Sequence, residues 1–108
     1  MALYRFKSRE TGDLVMLQPH GQRILEILGK DAGAPGVILP AQMAGAVQAL
    51  REAVVAEEKE HQRLREEALA RGEVLPEFDA VTLRLRSAPF IEMLQRCEKA
   101  EVEIVWGV

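Results

Sequence analysis

The residue types able to do chemistry in this sequence are few and scattered: His20, His61, the single Cys97, and the arginines of LRLRS, Arg84 and Arg86. PHGQR, Pro19 to Arg23, reads as the opening of a helix, where unpaired N–H groups and the helix dipole draw anions. His20, with Gln22 and Arg23 beside it, could hold a small carboxylate or phosphate there. Arg84 and Arg86 make a basic patch in an acidic chain and offer a second anion site near the start of the PFIEML helix. Ion pairing of these arginines with Glu101 or Glu103 is the plainer alternative. His61 lies one helical turn from Glu57 and could act as a protonation switch, although a solvated polar face is the simpler reading of the pair. Glu73, Glu77 and Asp79 could form an acid–base pair, but acids clustered with Gly72 and Pro76 read as solvated loop.

Other chemistries are disfavoured. A metal site needs several converging ligands, and two histidines and one cysteine with no CxxC, HxxxH or HExxH spacing do not supply them. A nucleophilic Cys97 would need a base and an electropositive setting, whereas it follows Leu94 by three residues on an apolar stripe and reads as a buried, inert thiol. GKDAGAPG, Gly29 to Gly36, has a phosphate-loop flavour, but it follows a helical pattern instead of a strand and begins with Gly-Lys instead of ending with it. It reads as a helix stop and a link. No catalytic residue, metal or cofactor is assigned, and the chain leans away from being an enzyme.

The elements that must position these residues follow from periodicity. LYRF and LVML, Leu3 to Phe6 and Leu14 to Leu17, flank SRETGD and predict a β-hairpin. Ile24, Leu25, Ile27 and Leu28 predict a helix over about 19–29, opened by Pro19 and closed by Gly29. GVIL, Gly36 to Leu39, is a strand candidate that stops at Pro40. From Ala41 to Arg71 there is no proline and no turn cluster, and Met43, Val47, Leu50 and Val54 trace a helical stripe that Glu57 and His61 interrupt. Beyond Glu57 this helix is expected to project or bend away, with Glu60, Arg63 and Glu67 paired along it. Leu64, Ala68 and Leu69 give that extension an apolar patch and, together with His61, a candidate interaction surface, best covered by a second copy in a homodimer. VTLRLR alternates as a strand does, yet Leu83, Phe90, Ile91, Leu94 and Cys97 also suit one helical face. A helix over about 88–99 with a turn or strand before it fits best, because Pro89 is comfortable in a first turn and costs about 3 kcal/mol inside a helix. EVEIVWG, Glu101 to Gly107, alternates as a strand with Trp106 as its anchor.

Taken together, these elements predict an α+β chain: a small three- or four-stranded sheet, made of the N-terminal hairpin and the C-terminal strand, packed by about three helices of which one is long. The length of 108 residues fits one domain. A net charge of −3 lacks the positive field that nucleic-acid binding relies on. No apolar run approaches the roughly 20 residues of a membrane span, MALYRFKSRE has no apolar core of a signal peptide, and the lone cysteine cannot form an internal disulfide. A soluble, cytoplasmic protein is the expectation.

With LYRFKS, TGD, ILGK, GVI, RSAPFIEML and the closing IVWGV in place, the chain resembles, over nearly its full length, the bacterial family catalogued as domain of unknown function 1840. The resemblance implies a small bacterial protein, brings no assigned activity and carries over no catalytic residues. The function expected from the sequence is a non-enzymatic interaction or regulatory module with an unidentified protein partner or a second copy of itself. The alternative is a binder of a small anionic ligand at the His20 helix start or at Arg84 and Arg86.

Overall fold

The computed structural model describes residues 3–78 and 81–107. Strands β1 (Leu3–Phe6) and β2 (Leu14–Leu17) form the antiparallel hairpin, with Leu3 opposite Leu17 and Phe6 opposite Leu14. Period-two alternation turns Tyr4 and Phe6 inward and leaves Leu3 and Arg5 exposed. β3 (Gly36–Ile38) and β4 (Ile104–Trp106) form a second antiparallel pair. The four strands therefore stand as two pairs, not as one continuous sheet. A reciprocal pair of hydrogen bonds between Lys7 and Val105, at 2.8 and 2.9 Å, joins them.

Helix α1 (Gln18–Ile27) follows β2 directly, with Pro19 in its first turn. At its end Gly29 takes φ +73°, and the Lys30 N–H donates back to the Leu25 carbonyl at 2.9 Å. GKDAGAPG is thus a helix stop and link. Lys30 Nζ donates to Gln42 Oε1 at 3.4 Å, and Asp31 accepts from the Gly33 N–H at 2.8 Å.

Helix α2 (Pro40–Arg71) is the long one. Gln42 reaches back to the Leu39 N–H at 2.9 Å, half of a capping box at its start. Its inward stripe of Met43, Val47, Leu50 and Val54 is buried. The molecule measures 52 Å along its longest axis and has a radius of gyration of 15.9 Å, against about 13 Å for a globular chain of this length. Arg63 bridges Glu60 and Glu67 on the helix surface. The far end is not bare, because the connection after Arg71 returns along it: Phe78 stacks on the His61 ring at 3.8 Å, Arg65 lies over the same Phe78 ring, and Ala68 is buried.

Helix α3 (Leu83–Ala100) begins five residues before the position expected from Pro89 and takes in the alternating LRLR. Thr82 caps it by accepting from the Leu85 N–H at 3.4 Å. Pro89 sits inside the helix, and the carbonyl it leaves without an N–H partner belongs to Leu85, an exposed residue where water can replace the lost bond. The buried stripe runs Leu83, Ser87, Phe90, Leu94, Cys97, and burying it against α2 outweighs the alternation. The core gathers Phe6, Ile24, Leu25, Ile38, Leu50, Phe90, Leu94 and Trp106 between helices and strands. Cys97 is fully buried there, its thiol 3.0 Å from Ser8 Oγ, and Trp106 donates its indole N–H to the Ala34 carbonyl at 3.2 Å.

Candidate functional site

Glu57 is the junction on which the site is built. It is the first charged residue after the apolar stripe of α2, and its carboxylate is only 11% exposed. Oε1 accepts from Arg23 of α1 at 3.0 Å, and Oε2 accepts from the Leu83 N–H at 3.0 Å. The free N-terminus of α3 therefore has its anion supplied from within the chain. One carboxylate draws together α1, α2 and α3.

Around that junction lies a cleft of about 320 Å³. His20 and Arg23 enter it from the first two turns of α1, and His61 from α2. Glu77 and Phe78 come from the connection before α3, and Arg86 from its first turn. Phe78 covers one face of His61, so the imidazole nitrogens are left to the ring edge. Arg86 anchors its Nε on the Val81 carbonyl at 3.0 Å and has no carboxylate partner among the described residues. With Arg23 and Glu57 satisfying each other, the groups still available to a ligand are the Arg86 guanidinium and the two imidazoles, while the exposed Glu77 stands at the cleft as an acid that an anion must avoid. The guanidinium can neutralise a compact anion and the imidazoles can hydrogen-bond it. Among the described residues no group of three or more His, Cys, Asp or Glu could hold a metal ion.

The model of the family described as Domain of unknown function (DUF1840) matches residues 2–106. The chain belongs to the DUF1840 family. No curated protein and no solved structure gives a match.

In this DUF1840 chain the two anion sites read separately from the sequence meet in part. His20, Arg23 and Arg86 face one cleft, together with His61, which the sequence pointed to as part of an interaction surface. Gln22 turns away and donates to Glu26 at 3.0 Å. Arg84 points to the opposite side of α3 and clasps Glu58 with two bonds, at 2.7 and 2.8 Å. The hydrogen bonds from Arg84 hold the Glu58 carboxyl below its ordinary value, and those from Arg63 do the same for Glu60. Ion pairing is thus the fate of Arg84, with Glu58 instead of Glu101 or Glu103; the latter pairs with Arg9 at 3.7 Å. The patch Leu64, Ala68, Leu69 is divided: Ala68 is buried, Leu64 half-buried and Leu69 67% exposed. Of the acidic loop only Glu77 reaches the cleft, and Asp79 lies outside the described residues.

Sequence reasoning read Glu57 only as a break in the stripe and a neighbour of His61, and passed over Phe78 altogether. An acid placed where a buried stripe ends is a signal for a charge that caps or pairs, and a single aromatic in a polar loop is a signal for an anchor. No helix among the described residues is long and apolar enough to cross a membrane.

Proposed function

We propose that this chain is a cytoplasmic, non-enzymatic binding and regulatory module whose cleft receives a compact carboxylate or phosphate. The observation that carries the reading is the convergence of His20, His61 and Arg86, from three different helices, on one concave surface with Arg86 unpaired by any carboxylate among the described residues. Guanidinium and imidazole donors converging on one cleft suit a carboxylate or phosphate group. The ligand would neutralise Arg86, take N–H donors from the imidazole edges and leave Glu57 to hold the scaffold. Titration of the ¹⁵N-labelled protein with inorganic phosphate, and separately with oxalate, tests this. Saturable shifts at His20, His61 and Arg86 are expected, with affinity at least about tenfold weaker in Arg86→Gln. Shifts that do not saturate, or that Arg86→Gln leaves unchanged, would remove the proposal.

A second reading is an interaction module with an unidentified protein partner. It is favoured by the apolar side chains at the far end of α2 and just beyond it, where Leu69 is 67% and Val74 94% exposed.

A further inference from the structure

The outer face of the α2–α3 pair carries a pattern that neither reading uses. Between the helices, on the side away from the core, lies an apolar groove of about 410 Å³ floored by Val54, Val55, Ala88 and Ile91. Val55 is 45% exposed at its centre. Charges are placed antisymmetrically about that centre. On α2, Arg51 precedes Val55 and Glu58 follows it at nearly equal distance, while Glu52 precedes and Lys59 follows. Gln48 and Gln62 stand symmetrically further out. On α3, Arg84 and Glu92 lie four residues either side of Ala88. The Arg84–Glu58 contact fixes the level of the antiparallel helices, so counting inward from it brings Val55 and Ala88 side by side. The two centres of antisymmetry therefore coincide in space.

A face on which each charge is mirrored by its opposite across one line is self-complementary under a two-fold rotation about that line. We propose that this face binds a second copy of the same chain, with α2 against α2 and α3 against α3, each antiparallel to its counterpart. In that arrangement Val55 meets the groove of the other copy, and the small Ala88 lets the α3 helices approach closely. Arg51 faces the other copy's Glu58, Glu52 its Lys59, and Arg84 its Glu92. Arg84 and Glu58 already pair within each chain, so the second copy adds an opposite charge across from each of them and gives Arg51, Glu52, Lys59 and Glu92 opposite charges as well. A partner of single-sign charge would instead set like charges against half of these positions. The contact rests on one pair of helices from each copy, with charges at its rim and few apolar side chains at its centre, so the association is expected to be weak and concentration-dependent. It differs from an interface through Leu64, Ala68 and Leu69, and it stands whether or not the cleft binds an anion.

Sedimentation velocity from about 1 to about 500 µM reads the monomer–dimer equilibrium of the full chain. Lys59→Glu sets like charges opposite Glu52 twice per dimer and should weaken association about tenfold or more; Glu52→Lys combined with Lys59→Glu restores the complement and should recover affinity to within about twofold. Both side chains lie on the solvent face of α2 away from the core, so circular dichroism should be unchanged. Ala88→Cys should form a disulfide-linked dimer on mild oxidation, and Leu69→Cys should not. A wild-type chain that stays monomeric throughout the range overturns the proposal. So does a dimer that Lys59→Glu leaves intact, a double reversal that fails to rescue, or cross-linking through Leu69→Cys in place of Ala88→Cys.

Discussion

Replacing Glu57 should destabilise the fold and, in the glutamine variant, strengthen anion binding. The carboxylate makes two contacts of unequal worth. Arg23 is 53% exposed, so its pair with Glu57 is screened and contributes no more than about 1 kcal/mol. The Leu83 N–H is part-buried at the start of α3, where a cap is worth about 1 kcal/mol and the helix dipole adds a few tenths. Glu57→Ala removes both and should cost about 2 kcal/mol. Glu57→Gln keeps one oxygen acceptor for Leu83 but loses the charge, and should cost about 1 kcal/mol. At a urea m-value near 1.3 kcal/mol/M for a chain of this size, the midpoints should fall by about 1.5 M and about 0.8 M. The glutamine variant also releases Arg23 from its counter-charge, so phosphate should bind it about three- to tenfold more tightly than it binds the parent. The two effects have opposite signs, which separates them from general damage. An alanine midpoint within about 0.3 M of the parent would refute the junction role. Phosphate affinity that is unchanged or reduced in Glu57→Gln would show that Arg23 does not belong to the binding cleft.

Three further outcomes follow from local geometry. A Cβ on Gly36 would sit 2.3 Å from Trp106 Cζ2, inside a ring that is 1% exposed, so Gly36→Ala should cost about 3 kcal/mol or more by thermal unfolding and perturb tryptophan fluorescence. Glu101 closes α3 with φ 59°, a left-handed conformation that costs a non-glycine residue about 1 kcal/mol; Glu101→Gly should raise stability by roughly that amount, and a loss of stability would mean its side chain holds the turn. Glu58 has its folded carboxyl lowered from the ordinary 4.5, so its pair with Arg84 contributes stability present above that value and lost as pH falls through the folded one. In Arg84→Gln the Glu58 titration, followed by ¹³C NMR, should return to the ordinary carboxylate value.

What was legible in the sequence was what local periodicity decides. LYRF and LVML pair as their alternation requires, and the stripe Met43, Val47, Leu50, Val54 is buried on α2 as its spacing requires. Cys97 and Trp106 are core residues for the same reason. The cleft was legible only in pieces, because His20 and Arg86 are far apart along the chain. Nothing local says that Glu57 will bring α1 and α3 to the same point.

The start of α3 shows why the rest was hidden. VTLRLR satisfies a strand pattern at short range, and Ser87 places a polar residue in the middle of the helical stripe Leu83, Ser87, Phe90, Leu94, Cys97. Pro89 then makes a later start look cheaper. Two contacts from α2 reverse that balance: Glu57 accepts the Leu83 N–H, and Glu58 clasps Arg84. Both belong to the first turn of α3 and exist only if that turn is helical, because a strand would turn Leu83 and Arg84 to opposite faces. The Glu57 contact and the Thr82 cap together contribute about 2 kcal/mol, of the same order as the cost of a proline in the helix interior. The boundary of α3 is thus set by adjacent acids on another helix, and the same two acids divide the molecule's surfaces, Glu57 toward the cleft and Glu58 toward the outer face.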